Sequence, residues 1–251
     1  MAFDDAASYD QFMGRYSKPL ADQFVKLLDL RSGLDALDVG CGPGALTQVL
    51  VDDLGADHVQ AIDPSASFVQ AARQRMPGVD VDEGVAEDLP YRADQFDVVV
   101  AQLVVHFMRD PVTALGEMAR VTKPGGIVGA TVWDHAGTGG PLTLFWEGVR
   151  RIHPEEPGES ALAGTGEGHL LELFGAAGMN DTSHRVLTVL VRHESFDEWW
   201  TPFTLGVGPA GEYVGKLDAR ERDRLKEECQ ALIPHVPFDV TAAAWCVTAR
   251  V

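Results

Sequence analysis

The chain is short of basic residues, of cysteine and of long apolar runs. Lys and Arg number 20 against 38 Asp and Glu, a formal net charge of −18. Nucleic-acid binding rests on neutralising phosphates, and no basic stripe offsets this charge. The composition therefore favours a small-molecule enzyme over a nucleic-acid modifier. The three cysteines, Cys41, Cys229 and Cys246, are far apart, odd in number and without metal-ligand spacing. They exclude a disulfide framework and predict reduced thiols, a cytoplasmic protein and no metal site. The longest apolar run, Val98 to Val105, is broken by Gln102 and is too short to cross a bilayer. No basic-then-apolar leader opens the chain, and no internal repeat, zinc motif or nucleophile elbow is present. What remains is an ordinary globular composition, 45% hydrophobic and 23% charged over 251 residues, enough for one large domain.

The chain is organised around Leu37-Asp38-Val39-Gly40-Cys41-Gly42-Pro43-Gly44-Ala45-Leu46-Thr47. Ala36, Leu37 and Val39 suit a buried parallel strand. Gly40, Gly42 and Gly44 remove side chains where the backbone must turn and admit a ligand closely. Leu46, Val49, Leu50 and Leu54 then fall at helical spacing. The next apolar run ends in Asp63, and an acid at the tip of a second strand can accept both hydroxyls of a ribose. The pattern Gly40-x-Gly42-x-x-Ala45, with an acid about 20 residues on, also satisfies the dinucleotide fingerprint. Against that, Asp38 sits within reach of the turn, and a carboxylate there suits a positively charged ligand better than a pyrophosphate.

Four stretches resemble, in order and spacing, the motifs of class I S-adenosylmethionine (SAM) dependent methyltransferases. Asp38 to Gly44 is similar to the family's D-x-G-C-G-x-G. Ala86-Glu87-Asp88-Leu89-Pro90-Tyr91 is similar to G-D-A-x-x-L-P-F, with Val85 where the family has its first acid. Phe96 to Gln102 reads as a buried fourth strand. Arg120-Val121-Thr122-Lys123-Pro124-Gly125-Gly126 is similar to R-V-L-K-P-G-G. The resemblance runs from about Ala36 to Asp134 and is nearest to the small-molecule branch of ubiquinone and menaquinone biosynthesis methyltransferases. It implies an α/β, Rossmann-like, doubly wound sheet of seven strands ordered 3-2-1-4-5-7-6, the last antiparallel, with helical cap insertions. It also implies a SAM site made of Asp38, Gly40, Cys41, Gly42, Gly44, Asp63, Pro64, Ala86, Glu87, Ala101 and Gln102. Glu87 and Asp88 both remain candidates for the adenine. Arg15 and Tyr16, ahead of the first strand, resemble the family's N-terminal lid over the methionine end, where Arg15 could pair with a carboxylate.

These readings divide a single domain, 1–251, into lid helices (1–30), a SAM-binding core (31–134), cap segments (135–182 and 195–237) and final strands (183–194 and 238–251). Pro154 to Gly168 reads as a surface loop. In the second cap segment an aromatic helix and the loop Leu205 to Pro209 precede a charged helix, capped by Asp218 and Glu221. Val112, Leu115 and Ala119 are predicted to face inward from the helix opened by Asp110-Pro111. Trp133, Trp146, Trp199 and Phe203 are candidates to line an acceptor pocket, with core packing as the alternative. His106, after the fourth strand, and His135, after the fifth, are candidates to orient or deprotonate the acceptor. The expected partner is a small-molecule acceptor, with neither nucleic acid nor membrane; the sequence is silent on oligomeric state. Two other functions share these motifs: a nicotinamide-dependent oxidoreductase, and a non-catalytic SAM-binding protein.

Overall fold

The computed structural model describes residues 6–251. The first five residues of the expected lid lie outside the described residues. Seven strands form one sheet: β1 (Ala36–Val39), β2 (Val59–Asp63), β3 (Asp80–Glu83), β4 (Phe96–Gln102), β5 (Thr122–Trp133), β6 (Thr182–His193) and β7 (Phe238–Arg250). Their order is β3-β2-β1-β4-β5-β7-β6, as the sequence implied. β7 runs antiparallel to both β5 and β6, and the remaining pairs are parallel. In β1, Ala36 pairs with Val59 on one side and Val98 on the other. The chain leaves β1 toward β2 and returns on its other flank as β4. Such a switch opens a crevice beyond the C-terminal ends of β1 and β4.

Among the described residues ten α-helices flank the sheet. They are α1 (Ala6–Phe12), α2 (Gly14–Leu28), α3 (Ala45–Leu54), α4 (Ala66–Arg75), α5 (Pro111–Val121), α6 (Thr143–Ile152), α7 (His169–Ala176), α8 (Phe196–Trp200), α9 (Gly208–Lys216) and α10 (Ala219–Leu232). Local chemistry starts several of them. Ser65 and Asp110 accept backbone N–H bonds at the heads of α4 and α5. Asp218 and Glu221 close a full capping box on α10, which buries only Leu225 and Cys229 and leaves its charges to solvent. Among the described residues no helix is long and apolar enough to cross a membrane.

Three local expectations are corrected, and the motif Arg120 to Gly126 finds its place in the sheet. The buried face of α5 is Ala114, Leu115, Met118 and Val121, so the stripe is displaced from Val112 and Ala119, which are half-buried. The turn at Lys123–Gly126 lies inside β5, which pairs at Thr122 and again from Ile127; the intervening residues bulge out. The loop Leu205 to Pro209 overlaps a further helix, α9, with Pro209 in its first turn. Finally, the stretch Pro154 to Gly168 is not wholly superficial, since Glu159 and Thr165 are buried.

Arg120 and Lys123 are structural. The Arg120 guanidinium holds the Glu117 carboxylate and donates to the Tyr91 and Leu89 carbonyls, pinning the segment before β4. Lys123 Nζ lies 2.8 Å from Asp97 and 3.5 Å from Asp35, joining the β5 bulge to the start of β4. That bulge yields a contrast. A Cβ on Gly126 would meet the Asp97 and Lys123 carbonyl oxygens at 2.7 and 2.8 Å, whereas one on Gly125 meets nothing, although φ there is +81°. Gly126→Ala is therefore expected to lose about 2 kcal/mol through forced backbone movement, and Gly125→Ala only about 1 kcal/mol, measured by urea unfolding.

Candidate active site

A cavity of about 740 Å³ opens at the C-terminal ends of β1, β2, β4 and β5. Its floor is the glycine turn. Gly40, Gly42 and Gly44 all have positive φ (+70°, +55° and +95°), which side chains rarely adopt. A Cβ on Gly40 would lie 2.5 Å from Val104, so only glycine lets that side chain close the wall. Around Gly42 there is open space, with Phe68 the nearest atom at 3.9 Å. The turn satisfies itself. The Gly40 and Cys41 N–H groups donate to the Ile62 carbonyl, and that of Gly44 donates to the Cys41 carbonyl. The Gly42 N–H donates to Asp63 Oδ2 at 2.8 Å.

Asp63 does double service, its other oxygen accepting from the Ser65 N–H at 2.8 Å. Burial raises its pKa against the opposing pull of these two bonds. Asp38 is 1% exposed. Its Oδ2 accepts from the Thr47 hydroxyl at 2.6 Å, while Oδ1 has no partner. Burial pushes its pKa up to about 7; the Thr47 bond opposes this and the Asp63 charge adds to it. On the adjacent strand Gln102 donates to the Ser17 carbonyl at 3.1 Å, leaving Oε1 unpaired. Two buried acceptors on one wall call for a ligand that donates several hydrogen bonds, as an ammonium does.

The far wall is built differently. Trp133, His106 and His135 lie on the cavity, with Leu142, Glu159 and the stretch Val207 to Ala210. The two histidine rings meet edge to face with centroids 5.8 Å apart. His106 is 6% exposed; burial, aided by His135, holds it well below the ordinary histidine range. Burial likewise lowers His135 to about 4. Both are neutral at pH 7. His106 Nδ1 and Trp133 Nε1 have no hydrogen-bond partner.

The sequence candidates separate into two groups. Asp38, Gly40, Cys41, Gly42, Asp63, Pro64, Gln102, His106, Trp133 and His135 share the cavity. Arg15, Tyr16, Gly44, Ala86, Glu87, Ala101, Trp146, Trp199 and Phe203 are not on its wall. Arg15 and Tyr16 instead brace α2 against β6. Arg15, which can only donate, bonds His193 Nδ1, the Arg192 carbonyl and Glu198. His193 Nε2–H is left to donate to the Tyr16 oxygen at 2.9 Å. Gly44 faces Met76, Glu87 accepts from the Arg109 and Asp110 N–H groups, and Ala101 is fully buried in the sheet. Trp199 and Phe203 pack with Phe12, Phe145 and Phe196, so the core alternative describes them. Trp146 acts one step removed, donating to Glu159.

Sequence reasoning missed several wall residues. Tyr9 and Phe12 of α1, Met13 at the head of α2 and Ser17 within it flank the two residues singled out. Tyr9 lies edge-on to Phe68 at 5.5 Å. Arg75 ties α1 down, bonding Asp10 at 2.6 Å and the Pro43 carbonyl of the glycine turn at 3.0 Å. Glu159 carried no sequence signal. Among the described residues no group of three or more His, Cys, Asp or Glu is arranged to hold a metal.

Unpaired acceptors, beside a turn whose own N–H groups are already spent, mark the class: an α/β protein binding a nucleoside that carries an amino-acid end. The particular family follows from likeness to known proteins. A family model described as a methyltransferase domain matches residues 37–129. The chain is 30% identical over 181 residues to a demethylmenaquinone methyltransferase of Renibacterium salmoninarum, covering 66% of this chain and 76% of that protein. It is 32% identical over 169 residues to a malonyl-[acyl-carrier protein] O-methyltransferase of Salmonella typhimurium, covering 65% and 66% respectively. Of three curated relatives that it matches, the chain spans 66%, 44% and 33% of their own length. A solved structure, phosphoethanolamine N-methyltransferase 2 of Haemonchus contortus with S-adenosylhomocysteine (SAH) bound, shares the fold. Its TM-score is 0.58 at 15% identity, over 100% of this chain and 60% of that one. The chain belongs to the class I SAM-dependent methyltransferases, and its cofactor is SAM.

The Asp38 pKa sets a sign. Its folded value of about 7 lies above the ordinary 3.8, so between those values the folded state holds the extra proton. Stability therefore falls as pH rises through that window and stays reduced above it. Asp38→Asn is expected to stabilise the cofactor-free protein by up to about 4 kcal/mol above pH 7, with the advantage shrinking toward pH 4. Urea unfolding at pH 5 and pH 8 measures the change.

Proposed function

We propose that this chain transfers the SAM methyl group to a small, mostly apolar acceptor, and that the whole chain acts as a single domain in the cytoplasm without nucleic acid. One observation carries this proposal: the two buried acids and the aromatic wall border the same cavity. Its volume, about 740 Å³, suits a nucleoside cofactor together with a small second molecule. The name of one relative, a demethylmenaquinone methyltransferase, points the same way. The net charge of −18 disfavours polyanionic acceptors.

Each wall residue then has a task. Asp63 retains lone pairs for the ribose hydroxyls after serving Gly42 and Ser65. Asp38 Oδ1 and Gln102 Oε1 receive the ammonium of the methionine end. Gly40, Cys41, Gly42 and Pro64 let the cofactor lie against backbone. SAM supplies a methyl group on a positively charged sulfur, ready for in-line displacement. The protein supplies alignment and the exclusion of water. His106 and His135, held neutral, orient the acceptor by hydrogen bonds, and Trp133 forms part of the same pocket wall. Arg15 and Tyr16 serve indirectly, by holding α2 so that Met13 and Ser17 reach the cavity. Ala86 and Glu87 shape the neighbouring segment, and Gly44, Ala101, Trp146, Trp199 and Phe203 support the wall from behind.

Asp63→Ala is expected to weaken SAH binding by about 1–3 kcal/mol, the scale of hydrogen bonds to a charged group. Calorimetry on the folded variant reads this directly. Unchanged affinity would remove Asp63 from the ribose, and tight NADH binding without SAH binding would reject methyl transfer altogether.

A further inference from the structure

Glu159 is the buried acid that the functions assigned above leave unused. It is 3% exposed, yet it borders the cavity. Trp146 Nε1–H donates to its Oε2 at 2.9 Å. Gly158, with φ +59°, lies flat against the same indole, where a Cβ would come within 2.8 Å of the ring. Backbone and indole together fix the carboxylate in place. The Trp146 bond occupies Oε2 alone and leaves Oε1 available on the cavity side. Burial pushes its pKa up to about 7 against the opposing Trp146 bond, and a donor from a ligand would favour its charged form.

Its place is on the acceptor side. The segment carrying it packs beside the end of β5: the Ala136 N–H donates to the Thr165 carbonyl, and Trp245 Nε1–H donates to the same oxygen at 3.1 Å. The acids assigned to the cofactor, Asp38 and Asp63, stand at the ends of β1 and β2. A second fact concerns the whole cavity. Among the described residues no lysine or arginine borders it. A carboxylate ligand would thus meet three acids, two neutral histidines and, among the described residues, no lysine or arginine.

We propose that Glu159 binds the methyl acceptor by receiving an N–H or O–H hydrogen bond, and that the cavity selects acceptors bearing such a donor over those bearing a carboxylate. This rests on the methyl-transfer function proposed above. It separates this chain from any relative that methylates a carboxyl group. The acceptor then combines an apolar body, matched to Trp133, Leu142 and Val207, with an amine or hydroxyl directed at Glu159 Oε1. Charge-assisted hydrogen bonds of this kind are the strong ones, and a site built for one rejects a ligand that lacks it.

The test uses the full chain saturated with SAH and three probes of one shape: 2-naphthylmethylamine, 2-naphthol and 2-naphthoic acid. Calorimetry gives Kd for each. The amine or the naphthol is expected to bind at least tenfold more tightly than the acid, and their order tells which donor the site takes. Glu159→Gln should weaken the preferred probe at least tenfold, leave SAH affinity within twofold and shrink the preference over the acid. If that variant does not fold, Glu159→Asp, with its charge withdrawn by one methylene, takes its place and should weaken the same probe. Three results would overturn the proposal alone: naphthoic acid binding as tightly as the others, no probe binding at millimolar concentration, or donor affinity unchanged in a variant that still binds SAH. Failure of the wild-type chain to bind SAH would instead reject the underlying function, and this proposal with it.

Discussion

The arrangement depends on one carboxylate. Asp63, at the end of β2, receives the Gly42 N–H with one oxygen and the Ser65 N–H with the other. It thereby locks the turn after β1 to the turn after β2, and sets the heads of α3 and α4 side by side. Both turns border the cavity. Burial works against its charge, so the lock is held by geometry and not by solvation. The positive φ angles of the glycine turn are affordable because these bonds and the Ile62 carbonyl fix the backbone there.

The same turn decides between ligands. A dinucleotide site offers free backbone N–H groups to a pyrophosphate. Here those of Gly40, Cys41, Gly42 and Gly44 are all engaged within the protein. What is left over nearby is acceptor in character, at Asp38 and Gln102. The fingerprint that left two cofactors open in the sequence is resolved by where its hydrogen bonds go.

Much of the core was legible because its signals are local. A glycine needed for φ, an acid closing a strand, a serine or aspartate opening a helix: each acts on backbone within a few residues of itself. The cap and the lid were less legible, because their contacts span the chain. Arg15 and Tyr16 look like ligands for a cofactor until His193 arrives from 178 and 177 positions away. Glu159 sits in a run of proline, glycine and glutamate that composition assigns to the surface; the indole of Trp146 buries it. The turn Gly206-Val207-Gly208-Pro209 reads as a loop, yet Pro209 pre-sets the first turn of α9, and this segment closes the cavity. The missed α5 face has a simpler cause. Small alanines at 114 and 119 weaken the periodic signal, so a one-residue displacement of the stripe goes unseen.

Arg75 reaches two things at once, the backbone of the glycine turn and Asp10 of α1. Among the contacts that hold this helix over the cavity are a half-exposed ion pair and the rings of Tyr9 and Phe12. Such fastenings are weak individually. One guanidinium couples the backbone of the glycine turn to the N-terminal helix, so a change at Arg75 acts on both sides of the cavity together.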